Sequence, residues 1–181
     1  ILKNTVSLSG VEKVFETKLQ GKVDFAQKVL FNTETIANTG PIPPKVGQAT
    51  TYTVLWQVKN YWNGLNNAKV KAILPNNVRL TGQTNPQNAS FTFDSASREV
   101  VWTIGEVSPY QGFDSSHTLA FQIELLPNSQ QVGSIASLIE EAHFTAEDSF
   151  SGSAVYGVSN SQDTSLSYDD SVNGNDGIVE Q

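Results

Sequence analysis

The stretch TTYTVLWQV, residues 50–58, decides the fold class of this chain. Large apolar side chains stand at every second position, and polar side chains occupy most of the positions between them. The apolar set is Tyr52, Val54, Trp56 and Val58, and the polar set is Thr51, Thr53 and Gln57. Because successive side chains of a β-strand point to opposite faces, this alternation predicts a strand with one face in a core.

The same alternation recurs in other parts of the chain. It is seen in KVKAIL at 69–74, EVVWTI at 99–104 and TLAFQIEL at 118–125. The segment SLIEEAHF at 137–144 is interpreted as a further strand rather than half a helix, since Ile135, Ser137 and Ile139 alternate. Gly-, Pro- and Asn-rich turns separate these segments. Short strands between such turns predict an all-β fold, an Ig-like antiparallel β-sandwich with extended N- and C-terminal segments.

The composition excludes several classes of function. The 181 residues include no cysteine, so disulfides, a thiolate nucleophile and cysteine-bound zinc are ruled out. No apolar run approaches the length of a membrane-spanning helix, and no basic cluster is interleaved with aromatic residues as in nucleic-acid-binding proteins. We therefore expect no membrane insertion within this chain and no nucleic-acid partner. The few charged residues and the abundant Asn, Ser and Thr favour an extracellular, cell-surface location.

Charge is divided unevenly along the chain. Residues 1–98 carry all eleven basic residues and five acidic ones, whereas residues 99–181 carry thirteen acidic residues and no basic one. If the two halves form separate surfaces, opposite ends of two molecules attract each other and association is oriented head to tail. The expected partners are therefore copies of the chain or adjacent modules.

Three stretches carry a resemblance to a known family. They are PPKVGQATTYTVLWQVKN at 43–60, VKAILPNNVRLTG at 70–82 and REVVWTIGEVSPYQG at 98–112. Over roughly residues 41–146 the chain resembles the Ig-like conserved-repeat modules of bacterial and archaeal cell-surface proteins, a domain-of-unknown-function family. The matched positions are Pro44, Gly47, Tyr52, Thr53, Asn60, Leu74, Pro75, Val78, Trp102, Gly105 and Gly112. The resemblance implies an extracellular spacer, wall, sheath or adhesin module, commonly in tandem.

The sequence suggests three parts. Residues 1–32 are expected to be an extended segment, either the end of a preceding module or a donated strand. Residues 33–160 are the predicted Ig-like β-sandwich, and residues 161–181 an acidic tail or linker rich in Asn, Asp and Gly. A strand without its own sheet leaves its edge groups unpaired, so the first segment is expected to pair within this domain or to insert into the next copy.

The stretch DDSVNGNDGIVE at 169–180 has the spacing of a calcium-binding loop. The predicted calcium ligands are Asp169, Ser171, Asn173, Asn175 and Glu180. Calcium takes about six to eight oxygen ligands, and a Glu at the end of such a loop commonly supplies two of them. Asp176 stands where an apolar residue normally anchors the loop, and a polar tail that orders on binding a partner is the alternative interpretation. Calcium is the one cofactor that the sequence predicts.

Loop aromatics provide a second candidate site. Tyr61, Trp62 and Tyr110 lie in predicted loops, where aromatic rings bind sugar rings or another protein surface. The alternative is that Trp62 caps the end of the core. Surface glycans are therefore the second kind of partner to consider.

Little in the sequence predicts catalysis. There are two histidines, His117 and His143, and no G-x-S-x-G nucleophile motif. We predict that the chain is not an enzyme but a structural module or subunit of an extracellular cell-surface assembly, such as a tandem spacer, sheath or filament, joined head to tail. The alternative is a carbohydrate-binding or adhesin module that uses the loop aromatics.

Overall fold

The structure, a computed structural model, describes residues 2–113 and 117–181. It contains the following strands: β1 (Leu2–Leu8), β2 (Val11–Thr17), β3 (Val23–Leu30), β4 (Thr50–Asn60), β5 (Leu65–Ile73), β6 (Val78–Asn85), β7 (Phe91–Asp94), β8 (Glu99–Val107), β9 (His117–Leu125), β10 (Ser137–Ile139), β11 (Ala142–Asp148), β12 (Ala154–Ser159) and β13 (Gln162–Asp163). Short 3-10 turns occupy Ser129–Gln131 and Gly174–Gly177.

Two antiparallel sheets form the body of the molecule. One has five strands in the order β12-β11-β5-β8-β7, and the other has four in the order β3-β4-β9-β6. Buried side chains from both sheets form one continuous core between them. The predicted all-β class and the Ig-like antiparallel β-sandwich are thereby confirmed. Two smaller pairs, β1-β2 and β10-β13, lie outside these sheets.

The core is centred on Trp56. Its ring makes edge-to-face contacts with Phe121, Phe91 and Phe25, at centroid distances of 4.9, 6.1 and 6.5 Å. Its indole N–H donates a hydrogen bond of 2.8 Å to the side-chain oxygen of Gln27, so the buried donor is satisfied. The alternating residues of TTYTVLWQV and TLAFQIEL that were expected to face inward are completely buried. The alternation therefore predicted the centre of the core correctly.

The first half of β4 differs from its sequence pattern. Thr51 and Thr53, expected on the solvent face, are buried as well. The connection between β3 and β4 crosses this face: the Thr39 amide donates to Thr51 Oγ1 at 2.7 Å, and Asn38 Nδ2 donates to Thr53 Oγ1 at 3.0 Å. The expectation of one buried face is wrong here because the covering segment binds through hydrogen bonds, which leave no trace in the hydrophobic pattern.

The predicted strand at 137–144 is divided between two sheets. β10 pairs with β13, whereas β11 lies between β5 and β12. The alternation expected from Ile135 is also wrong, because Ile135 is 39% exposed while Leu138 and Ile139 are both buried. The β10-β13 ladder shifts register between Ser137 and Ile139, and such a bulge changes which side chains face inward.

The two terminal segments differ in how much of each contacts the sandwich. Within the predicted segment 1–32, β1 and β2 form a hairpin, whereas β3 is an edge strand of the four-stranded sheet. Within 161–181, β13 pairs with β10, Val179 is buried, and Glu180 forms a parallel bridge with Lys45. The division of the chain into three parts stays a prediction. In the described residues, helical structure is too short for any helix to cross a membrane.

Candidate functional site at the hairpin end of the sandwich

Four connections meet at the end of the sandwich where the β1-β2 hairpin projects. They are residues 18–22, 61–64, 108–113 and 149–153. We call this the hairpin end, and residues 18–22 the neck. The opposite end, where the chain from 161 to 181 packs, is the tail end.

The hairpin is amphipathic. Its register pairs Leu2 with Thr17 and Leu8 with Val11, and all of its described residues are exposed. One face, which we call the apolar face, carries Leu2, Asn4, Val6, Leu8, Val11, Lys13, Phe15 and Thr17. The opposite face carries Lys3, Thr5, Ser7, Glu12, Val14 and Glu16. On that polar face Lys3 and Glu16 form an ion pair of 2.8 Å.

The apolar face is largely open to solvent. Leu8 and Val11 are 77% and 70% exposed, and the two strands form a ladder with each other alone. An isolated two-stranded ribbon is at best marginally stable in water, and contiguous exposed apolar surface marks a binding site. The hairpin is therefore the strongest candidate for a docking element in the molecule.

A buried carboxylate, that of Asp148, holds the neck to the sandwich. Its Oδ2 accepts hydrogen bonds from the Gly21 amide and, at 2.8 Å, from Asn63 Nδ2. Its Oδ1 accepts from the amides of Phe150 and Ser151 at 2.9 and 2.8 Å. Burial by itself raises the pKa of this carboxyl, but the hydrogen bonds outweigh burial and lower the pKa to about 2. Asp148 is therefore ionised at neutral pH and fixes where the hairpin leaves the body.

Further hydrogen bonds fasten the neck on both sides. Lys18 Nζ donates to the Phe150 carbonyl at 2.8 Å, and Gln20 Nε2 donates to the Ala154 carbonyl. From the body, Asn63 Nδ2 donates to the Leu19 carbonyl at 2.9 Å. These hydrogen bonds hold the neck to the body. In the hairpin beyond the neck, β1 and β2 form a separate two-stranded sheet.

An aromatic cluster lies beside the neck. Tyr61 makes edge-to-face contacts with Phe113 at 4.8 Å and with Trp62 at 6.4 Å between centroids. Lys22 Nζ lies 4.7 Å from the centre of the Tyr61 ring. The Tyr61 hydroxyl donates to the Asp24 carboxylate, and this hydrogen bond raises the pKa of Tyr61.

The structure brings together two of the three predicted aromatic residues. Tyr61 and Trp62 are in contact, and Trp62 is 53% exposed rather than capping the core. Tyr110 lies in the same connection as Phe113 and is exposed, but makes no ring contact with the cluster among the described residues. Phe113, which is half exposed, was missed because it is a single aromatic in a polar loop, and only the fold places it against Tyr61.

The predicted calcium ligands lie at the tail end. Asp169 is buried, and its Oδ2 accepts hydrogen bonds from the amides of Phe31 and Asn32 at 2.7 and 2.8 Å. Its Oδ1 accepts from the Ser171 amide at 3.1 Å and from the Ser171 hydroxyl. Burial raises the pKa of Asp169, but these hydrogen bonds lower it by more, so the pKa lies below its usual value. Both carboxylate oxygens are therefore already bonded to protein donors.

Of the other predicted ligands, Ser171 bonds to Asp169, and the remaining three have other partners or are exposed. Glu180 pairs with Lys45 at 3.2 Å, Asn173 Nδ2 donates to Asp176 at 3.3 Å, and Asn175 is exposed. No three His, Asp or Glu side chains in the described part of the chain are grouped so as to hold a metal ion. Calcium binding stays a prediction, and it would have to compete with the hydrogen bonds of Asp169.

The two histidines occupy different environments. His143 lies on β11, where it is within 3.3 Å of Glu141, and both side chains are half exposed. His117 stacks on Trp102 at 5.5 Å between ring centres, and burial lowers its pKa. A neutral ring packed on a core tryptophan suits a structural role for His117.

Comparison with known proteins does not show a family for this chain. No protein-family model matches the chain, and no curated protein sequence matches it. Solved structures do resemble it. The major pilin subunit BcpA of Bacillus cereus, as its D312A variant, matches with 13% identity and a TM-score of 0.46, over 90% of this chain and 47% of that one.

Two other solved structures also resemble the chain. The major pilin SpaD of Corynebacterium diphtheriae has 11% identity and a TM-score of 0.44, over 77% of this chain and 34% of that one. The bacterial hydrophobin BslA has 11% identity and a TM-score of 0.41, over 81% of this chain and 95% of that one. The chain spans less than half the length of either pilin. At these levels the likenesses carry no argument about activity or partners, and the family resemblance seen in the sequence stays a prediction.

Proposed function

We propose that the chain is a structural module of an extracellular cell-surface assembly, joined head to tail to copies of itself or to similar modules. The observation that carries this proposal is the β1-β2 hairpin, an amphipathic ribbon whose apolar face is open to solvent. Burial of that face against another molecule supplies the hydrophobic stabilisation that the isolated ribbon lacks.

The way the terminal segments are anchored supports a linking role. Asp148 anchors the neck at the hairpin end, and Asp169 anchors the C-terminal segment at the tail end. Strand β3 connects the two anchors, since it begins just after Gly21 and ends just before Phe31. Its eight residues span about 27 Å at the usual rise of a strand. The elements available for joining neighbours therefore lie at opposite ends of one rigid sheet.

An extracellular setting is part of the proposal. The chain has no cysteine and few charged residues. Its two sheets are held together by the packing of one shared core. We infer the extracellular setting from this composition, which is rich in uncharged polar residues.

Sedimentation velocity over a wide concentration range tests the proposal, with electron microscopy of the same samples. We expect species larger than a monomer whose share grows with concentration, and end-to-end rows in the images. A single monomeric species at the highest soluble concentration would contradict the proposal.

A second candidate function is binding of surface saccharides by the aromatic cluster. The observation that favours it is the contact among Tyr61, Trp62 and Phe113, two of which are half exposed. A glycan array compares the unmodified chain with Trp62→Ala, and Tyr156→Ala, an exposed aromatic on β12, serves as the control. Binding lost only in Trp62→Ala supports this candidate, and the absence of any binding rejects it.

A further inference from the structure

The tail end carries a small apolar patch. Ile135 and Ile178 face each other across an isolated antiparallel bridge, and they are 39% and 36% exposed. Val132, which is also partly exposed, lies next to Gly133, whose amide donates to the Val179 carbonyl at 2.9 Å. We call Val132, Ile135 and Ile178 the tail-end patch.

The chain segment that carries Ile178 is acidic. Val179 is buried, so its neighbours Ile178 and Glu180 project to the outside. The segment 160–181 contains five acidic residues and no basic one. Lys45 pairs with Glu180 and offsets one of these charges. The segment as a whole keeps an excess of acidic residues, which suits an apolar partner that carries a cation.

The apolar face of the hairpin combines apolar side chains with one cation. Its single charged residue is Lys13, whose Nζ lies 5.3 Å from the centre of the Phe15 ring. The neck adds two more lysines, Lys18 and Lys22. Hydrophobic contact supplies affinity, and complementary charge orients the partners and excludes wrong ones.

We propose that the apolar face of the β1-β2 hairpin of one molecule docks on the tail-end patch of a second copy, with Lys13 among the carboxylates of the C-terminal segment. This inference rests on the proposed function and names the two surfaces that join. Because the hairpin and the patch lie at opposite ends, each docked copy leaves its own hairpin or patch free. Such a heterologous contact continues into rows rather than closing as a dimer.

A symmetric alternative would stack the apolar faces of two hairpins. That arrangement brings the Lys13 side chains of both copies into one apolar interface, which is unfavourable for like charges. The symmetric assembly also ends at the dimer, because the hairpins of both copies are buried in the one interface. The two arrangements therefore differ in the size of the assembly and in the dependence on Ile178.

Matched substitutions distinguish the two arrangements by sedimentation velocity. Val6→Asp places a carboxylate on the apolar face, and Val14→Asp places the same group on the opposite face at nearly equal exposure, 50% against 52%. Ile178→Asp disrupts the tail-end patch, and Val158→Asp, at an exposed position on β12, is its control. We expect Val6→Asp and Ile178→Asp each to be monomeric, with at least a tenfold weaker association, while both controls associate like the unmodified chain.

Mixing the two defective variants is the decisive experiment. Val6→Asp retains an intact patch and Ile178→Asp retains an intact hairpin, so an equimolar mixture is expected to form one heterodimer and no larger species. Association that survives Ile178→Asp but not Val6→Asp would indicate stacked hairpins and overturn this inference while the proposed function stands. Association unaffected by either variant overturns it in the same way. If the unmodified chain is monomeric, both this inference and the proposed function are overturned.

Discussion

The carboxylate of Asp148 accepts a hydrogen bond from the backbone amide of Gly21, across 127 positions of the sequence. The contact leaves no room for a side chain at the glycine, since an added Cβ would lie 2.8 Å from Asp148 Oδ2. A buried charge therefore helps to fix the place where the hairpin leaves the sandwich, together with the hydrogen bonds of Lys18, Gln20 and Asn63.

Replacing this charge is expected to weaken the whole domain. In Asp148→Asn an amide group faces the N–H donors that the carboxylate accepted, so at least one of them loses its partner. We expect the free energy of unfolding to fall by about 1–3 kcal/mol, measured by urea denaturation. Asp170→Asn, at an exposed position, serves as the control and should change it by less than about 0.5 kcal/mol. Equal effects of the two variants would contradict the anchoring role.

Stability should depend on pH through the same group. The pKa of Asp148 is lowered from 3.8 to about 2 in the folded protein, so its contribution is fully present above the unfolded value. It is lost as pH falls from about 4 to about 2, and the shift corresponds to about 2 kcal/mol. The lowered pKa of Asp169 acts in the same direction. Urea denaturation at several pH values tests this, and Asp148→Asn should show a shallower decline over that range.

The amide of Gln27 is expected to be essential for the packing of the two sheets. Besides accepting from Trp56, its Nε2 donates to the carbonyls of Glu140 and Asn160, both at 3.0 Å. In Gln27→Met the indole N–H and both carbonyls lose a buried partner, at a cost of about 1–3 kcal/mol or more. Thermal unfolding should show a clear fall in Tm, whereas Gln83→Met, at an exposed site on β6, leaves Tm nearly unchanged. An unchanged Tm in Gln27→Met would show that water replaces these bonds.

Asp169 is expected to stabilise the fold without a metal ion. Its hydrogen bonds to Phe31 and Asn32 join the C-terminal segment to the end of β3. In chelator, Asp169→Asn should therefore lower the free energy of unfolding by about 1–3 kcal/mol. A rise in Tm on adding calcium that is present in the unmodified chain and absent in the variant would instead support the predicted calcium loop.

Hydrogen exchange should separate the hairpin from the sandwich. The hairpin has no core of its own, so its amides are expected to exchange with little protection in the monomer. The amides of β4 and β9, in the centre of the four-stranded sheet, should be the most protected. Under conditions of association, protection should rise on the hairpin. Equal protection of hairpin and sheet in a dilute monomer would contradict its independence from the core.

Much of the sandwich was predictable because its strands follow a simple rule. Tyr52, Val54, Trp56 and Val58 are all completely buried, as their spacing indicates. The rule failed where something other than hydrophobic contact covers a strand. Thr51 and Thr53 are buried beneath Thr39 and Asn38, and such polar coverage has no periodicity.

The candidate sites were predictable in kind rather than in detail. The pairing of Tyr61 with Trp62 follows from their adjacency, but Phe113 joins them only because two loops meet at one end of the fold. For Asp169 the spacing suggested a metal ligand. In the structure its Oδ2 accepts from the amides of Phe31 and Asn32, more than 130 residues earlier, and no local motif reveals such distant donors.

The anchor between Phe31 and Asp169 also governs when the domain can form during synthesis. β3 is the first strand of the sandwich to leave the ribosome, yet the carboxylate that fixes its end follows 138 residues later. Its sheet neighbour β4 in turn needs β9, whose partner residues are as much as 75 positions further along the chain. Contacts so distant in sequence close slowly, since the loop entropy is lost before the contacts form. The sandwich is therefore expected to fold only once nearly all of this sequence has emerged, and nascent chains halted within it should remain sensitive to proteases.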